Sequence, residues 1–592
     1  MMAWLQSARD SFHKTSFPHH TKDRPARCRP AGTAAALAAL LALASCTAPP
    51  PSPPSGAAAP ETPASRGQGG SPTTAAPPPA STAPKTADRK RGTAPLGWGP
   101  QQRDLDAASG AVAGMTLAQK AGQVLLPSYA GLDPRTQAAT VERLHLAGSM
   151  IMGENVAGAP RRAGRRAGAG RRDPAAGRGV AVRRTHLARP DRRGPGRGVV
   201  SRVGAPLTGW PSPMSYGAAG SVPLATQAGT GLAAELAALG FTVDFAPDAD
   251  ATIGPADPTI GARSMSADPR AAGILSVGFS KGMLAAGVLP VAKHFPGHGS
   301  VTADSHKDMP VQKATVAQLK ARDWKPFQAA VAAGSPMIMT GHIAVPALEP
   351  GVPASISKAT YAALRGMGFK GVAVTDALNM GAVSGRYPHD SAAPAALAAG
   401  ADLLLMPVDV NAAHSAIVNA VGAGTLPLPR LDEAARRVVT MMIWQGRTKP
   451  HHAPAAPGSG EAVSANVSAR AVTVLAGRCR GPHLAGRVRV AGGTAGDRAR
   501  FAAAATAQGV TLGAGPLVSL IGYGGSPAGG DIAVALDAPW PLAGSAAPTK
   551  IALYGRTPGA FKALLAVLAG KAAATGKLPA AVGPYRPGSG CR

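Results

Sequence analysis

"GVLPVAKH" occupies residues 287–294, and "KHFPGHGSVTADSHKDMP" carries on from Lys293 to Pro310. An apolar run that ends in a lysine and a histidine reads as a buried strand whose last residues reach a sheet edge. The stretch from 293 to 310 then gathers three histidines, two lysines and two aspartates, in a chain with only 16% charged residues. Its glycines and proline exclude a plain helix. A strand that feeds a loop so rich in titratable groups is a candidate site.

The same pattern recurs on both sides. "AGQVLLP" (121–127), "AGSMIM" (147–152), "FTVDFAP" (241–247), "SPMIMTGH" (335–342), "KGVAVTD" (370–376) and "ADLLLMP" (401–407) also read as buried strands. Alanine-rich amphipathic segments such as 314–334 separate several of them. Strands alternating with helices make βα units, and about eight of them predict a TIM-type (β/α)8 barrel over 101–447. Lys293, His294, His342 and Asp376 lie just past the C-terminal ends of their runs, where barrel enzymes hold their chemistry. A doubly wound sheet would place them there too.

Residues 448–464 read as a linker, and 465–592 as a smaller α/β domain with runs such as "LVSLIGYG" and "DIAVALD". Cys479 and Cys591 both lie in it. In an exported chain they are expected to pair, and a disulfide closing so long a loop contributes up to about 4 kcal/mol.

Export is read from the other end. Basic residues at 22–30 precede the apolar segment "AGTAAALAALLALAS" (31–45), which has signal-peptide length. "LASC", ending at Cys46, resembles a bacterial lipobox, so 1–46 is expected to be a lipoprotein signal with Cys46 lipidated. Residues 47–100, rich in proline and alanine, read as a disordered tether. The folded part would then sit at the outer face of the cytoplasmic membrane.

Composition limits the alternatives. With 592 residues, 45% of them hydrophobic, the chain can build a large core. No CxxC pair occurs and the histidines lack ligand spacing on a helix, so neither a metal nor a cofactor is implied. The formal charge of +30 suggests nucleic acid, but thirteen arginines fall between 161 and 197, opposed only by Asp173 and Asp191. They lack interleaved aromatics, and no nucleic-acid partner is expected.

"KHFPGHGSVTADSHKDMP" closely resembles the lysine-histidine and aspartate-x-histidine loop of family 3 glycoside hydrolases, in their β-N-acetylglucosaminidase branch. "GVAVTDALNMGAV" (371–383) resembles that family's nucleophile strand, while "IGARSMSADP" (260–269) and "VDFAPDAD" (243–250) match further blocks in order. The resemblance implies Asp376 as nucleophile and His306 as acid–base group. Asp304, two residues earlier, points the same way in an extended loop and can fix the imidazole's tautomer. Lys293, His294 and Arg263 are implied to bind sugar hydroxyls, and the substrate is implied to be an amino-sugar oligosaccharide. A β-glucosidase or xylosidase of the same family would instead draw a carboxylic acid from its second domain.

One block of the family is missing. A strand ending in aspartate, glutamine, an acid and two glycines should precede "VVSRVGAPLTGWPSP" (199–213), where the chain has "RRGPGRG" (192–198). Gly-Pro-Gly-Arg-Gly can be encoded so that a shift of one base reads Asp-Gln-Asp-Gly. Segment 158–198 is therefore read as frame-shifted and not native-like. The barrel is expected to fall about one strand short and to lack a sugar-binding carboxylate, which leaves an inactive sugar-binding lipoprotein as a further alternative.

Overall fold

A computed structural model describes residues 92–155, the backbone of 180–183, and residues 203–526 and 529–591. The signal segment, Cys46 and most of 158–198 lie outside them. Among the described residues, no helix is long and apolar enough to cross a membrane.

The apolar runs become strands, shorter than the runs. In chain order they are β1 Leu125–Leu126, β2 Gly148–Ile151, β3 Val180–Arg183, β4 Val243–Asp244, β5 Leu289–Phe295 and β6 Met337–Thr340. A hairpin, β7 Ala344–Val345 and β8 Glu349–Pro353, precedes β9 Val372–Thr375 and β10 Leu404–Leu405. Six strands form one parallel sheet in the order β2-β3-β4-β5-β6-β9, and β1 pairs with β10. Parallel bridges Ser128–Met150 and Val374–Leu403 join the two sets. The result is a closed ring of eight parallel strands, held inside by Leu126, Met150, Phe245, Val291, Met339 and Val374, all fully buried.

Closure corrects one expectation. The barrel is not a strand short: Val180–Arg183, whose first three residues are small or β-branched, pairs with all four residues of β2 and through Val182 with Val243. Two smaller corrections concern boundaries. Residues 92–100, assigned to the tether, pack on the barrel, with Leu96 against the core and Trp98 buried. The segment 314–334 is two helices, Val316–Ala321 and Lys325–Ala332, because Pro326 cannot donate inside a continuous helix.

Asp402 locks the ring from below. It is fully buried, accepts the Ala373 amide at 2.9 Å and pairs with Arg365, Arg430 and Arg437. Burial raises such a carboxyl, but the three guanidinium groups outweigh it and hold Asp402 below its ordinary value.

The C-terminal sheet runs β11 Thr473–Ala476, β15 Thr549–Ala552, β14 Ile532–Ala535, β13 Thr511–Ile521 and β12 Arg487–Gly492, antiparallel only between β11 and β15. The helix Glu461–Ala471 begins inside the segment read as linker. Cys479 and Cys591 are joined by a disulfide, with Cα atoms 5.3 Å apart. This sheet docks on the barrel: Ser212 donates its N–H and hydroxyl to the Tyr554 carbonyl, and Ala267 and Ser266 donate to the Pro579 carbonyl.

Candidate active site

All seven residues of β5 are buried, so the strand delivers Lys293 and His294 to the barrel mouth already stripped of water. Their setting comes from the loop after β4. Asp250, fully buried, accepts the His294 Nδ1–H at 2.8 Å, the His294 amide at 3.0 Å and the His298 amide at 2.7 Å. Burial pushes the Asp250 carboxyl up to about 6, although the two amides pull it down. Burial also drives His294 well below its ordinary value, against the pull of Asp376. His294 is therefore a neutral ring that donates from Nδ1 and offers the Nε2 lone pair to the mouth.

Asp376 follows β9, all four residues of which are buried. Its N–H donates to the Thr340 carbonyl, and its Oδ1 accepts the Ala377 amide at 2.8 Å. Oδ2 lies 4.0 Å from His294 Nε2. The carboxylate is thus fixed at the centre of the mouth.

Arg263 ends the short turn Gly261–Arg263 and pairs with Asp248 at 3.1 Å. Asp257 builds that turn by accepting the amides of Thr259, Ile260 and Gly261 and the Thr252 hydroxyl. Lys293, Asp248 and Arg263 share a cavity of about 40 Å³ with Trp210, Phe245 and Met265. A larger cavity, about 340 Å³, lies away from Asp376, between Trp210, Glu235 and Arg556.

The Asp304–His306 loop follows β5 in the chain. Asp304 Oδ1 accepts the His306 Nδ1–H at 2.9 Å and the His306 amide at 3.1 Å. This leaves Nε2 outside the pairing, on a side chain 48% exposed. Ser305 joins its hydroxyl to His298 Nε2 at 2.9 Å, tying the loop to the buried residues just past β5. The carbonyls of His306 and Lys307 cover Gly381, where an added Cβ would come within 3.1 Å of both. The loop therefore sits over the segment that follows Asp376. His298 beneath is pushed down to about 4, chiefly by burial, with the positive charge of Arg263 adding to it.

The structure thus gathers Lys293, His294, Arg263, Asp376, Asp304 and His306 at one mouth. Sequence reasoning gave no role to Asp248, Asp250, His298 or His342. The two carboxylates of "PDAD" at the end of a strand were the available signal. Asp248, Asp250 and His294 also bring ligand-type atoms within 4.8 Å of one another. Their acceptor oxygens are committed to N–H donors and to Arg263, so the trio acts as a scaffold for the imidazole.

A family model, "Glycosyl hydrolase family 3 N terminal domain", matches residues 116–441. The chain belongs to glycosyl hydrolase family 3. Among curated relatives in sequence, "Beta-hexosaminidase LpqI" of Mycobacterium tuberculosis is 39% identical over 212 residues, covering 34% of this chain and 54% of that protein. A "Beta-hexosaminidase" of Chromobacterium violaceum is 36% identical over 220 residues, covering 37% and 60%. The chain spans little more than half the length of the curated relatives it matches. In structure, a family 3 β-N-acetylglucosaminidase from Paenibacillus sp. str. FPU-7 superposes with a TM-score of 0.65 at 23% identity, covering 78% of this chain and 98% of that one. "Beta-glucoside phosphorylase BglX" bound to 2FGlc superposes at 0.67 with 18% identity, over 82% and 98%. These two likenesses establish the two-part family 3 fold: an α/β barrel followed by a smaller α/β domain.

Proposed function

We propose that this family 3 protein removes terminal β-linked N-acetylglucosamine, or a related N-acetylhexosamine, from cell-wall or chitin-derived oligosaccharides with retention at the anomeric carbon. Asp376 attacks that carbon while His306 donates a proton from Nε2 to the departing oxygen. The bond to the aglycone breaks as the bond to the Asp376 carboxylate forms. His306, now lacking that proton, takes one from water, which displaces the carboxylate and releases the sugar. Asp304 holds the ring in the tautomer this exchange needs. His294 accepts a sugar hydroxyl at Nε2, and Lys293 and Arg263 supply the donors.

The observation that carries the proposal is the Asp304–His306 pair, held at 2.9 Å over the segment that follows Asp376. A histidine there takes the place of the second carboxylic acid that most retaining glycosidases use. The relatives named beta-hexosaminidase support the choice of sugar. The test is a 5-fluoro N-acetylglucosaminide, with peptide mapping of the adduct. A sugar mass on the peptide containing Asp376 supports the proposal; an adduct elsewhere, with turnover unchanged in Asp376→Asn, overturns it.

A second reading, a sugar-binding protein without turnover, is favoured by one observation: "RRGPGRG" (192–198) carries no carboxylate. Binding of N-acetylglucosamine with no hydrolysis of its aryl glycoside would select it. Anchoring through Cys46 belongs to the proposal as well, and globomycin-sensitive processing, followed by loss of membrane association in Cys46→Ser, is its test.

A further inference from the structure

We propose that His342 is a positioning residue for the nucleophile: its imidazole, carrying the proton on Nε2, fixes the Ala377 carbonyl and through it aims the Asp376 carboxylate. This rests on Asp376 being the nucleophile.

β6 and β9 pair in register from Met337–Val372 to Thr340–Thr375. Residues two beyond the end of each strand therefore face one another, and His342 meets Ala377. Its Nε2 lies 2.8 Å from the Ala377 carbonyl oxygen and its Nδ1 2.7 Å from the Ser355 hydroxyl. A carbonyl can only accept, so Nε2 must carry the proton. In the neutral ring, Nδ1 then accepts from Ser355.

The bonds continue into a closed circuit. The Tyr361 hydroxyl donates to the Ser355 carbonyl at 2.9 Å and lies 2.9 Å from the Thr340 hydroxyl, and the Thr340 carbonyl accepts the Asp376 amide. His342, Ser355 and Thr340 are fully buried. The two-residue segment Asp376–Ala377 is thus held at both ends, by Thr340 at the N–H of Asp376 and by His342 at the carbonyl of Ala377. Because the Ala377 amide, between the two held groups, donates to Asp376 Oδ1, a shift of this segment carries the carboxylate with it. Burial keeps the His342 ring uncharged, below its ordinary value despite the nearby Asp376. A neutral ring steers the carboxylate without forming a salt bridge that would quench its nucleophilicity.

The experiment combines kinetics with nitrogen NMR on the full chain. Gln places an N–H near the position of Nε2, whereas Asn is too short to reach the Ala377 carbonyl. His342→Asn is expected to lose about 100-fold in kcat on p-nitrophenyl N-acetyl-β-glucosaminide with KM within threefold, because misaiming the nucleophile affects the chemical step. His342→Gln should recover most of that kcat. Equal kcat in Asn and wild type, or equal loss in Gln and Asn, would overturn the proposal. Should His342→Asn fail to fold, His342→Gln and the spectrum of the wild type still decide. The wild-type His342 ring should show the Nε2–H tautomer at neutral pH, and an Nδ1–H ring or an imidazolium would contradict the proposal. A wild type that leaves the aryl glycoside intact defeats the functional reading, while the NMR result still judges His342.

Discussion

Two histidines at this mouth make the same bond and live in different worlds. His294 gives its Nδ1–H to Asp250 at 2.8 Å, and His306 gives its own to Asp304 at 2.9 Å. His294 is 3% exposed and forced neutral by burial, whereas the His306 side chain is 48% exposed on a turn. A ring that cannot take on charge can only hold a ligand in place. A ring that reaches water can load and release a proton in each cycle. The comparison separates a rigid wall, Asp250–His294–Asp376, from a working loop, Asp304–His306.

Asp376 lies in the wall and the loop sits over the segment that follows it, and as the proposed nucleophile its loss has the largest effect. Asp376→Asn should lower kcat by at least about 10⁴-fold, worth about 5.5 kcal/mol of barrier, with the melting temperature nearly unchanged. A retained rate would break the assignment.

The wall should be acid-sensitive. His298 has a folded value of about 4 against about 6.5 in the unfolded chain. Between those values the unfolded state binds more protons, so the stability present above pH 6.5 is lost as pH falls toward 4, by up to about 3 kcal/mol. Asp250 works the other way: raised to about 6, it favours the folded state as pH falls through 6. Denaturant melts of wild type and His298→Asn separate the two, and the variant should show the shallower acid limb. Identical limbs would contradict the assignment.

The two carboxylates sharpen the contrast further. Asp250→Asn removes a charged acceptor serving three buried N–H groups and should cost about 2 kcal/mol of stability. Asp304→Asn sits near solvent and should stay within about 0.5 kcal/mol, yet should slow turnover. A smaller stability change than at Asp250 is expected at the edge of the wall. Gly261 has φ of +50°, and a Cβ there would sit 1.9 Å from the Tyr523 hydroxyl of the C-terminal domain. Gly261→Ala should cost about 1–2 kcal/mol and raise KM through Arg263, more than kcat.

What the sequence carried locally, it carried well. Val372–Thr375 and Leu289–Phe295 announce themselves as buried strands, and Asp304 and His306 are partners two residues apart. What it hid was set at a distance. Asp250 meets His294 across 44 positions and Tyr523 meets Gly261 across far more, so those contacts depend on strand register and domain docking. His342 looked like any strand-end histidine until β6 and β9 were laid side by side. The short run Val180–Arg183 was masked by the arginines around it, although small and β-branched residues suffice to fill a strand position.

The division of labour is tested most directly by varying the leaving group in His306→Gln. With phenyl N-acetyl-β-glucosaminide, whose departing oxygen needs a proton, kcat/KM should fall by about 100-fold or more. With the dinitrophenyl glycoside, which leaves unaided, kcat/KM should stay within a fewfold of wild type. An equal loss on both substrates, or the same discrimination appearing in a His294 variant instead, would contradict the account.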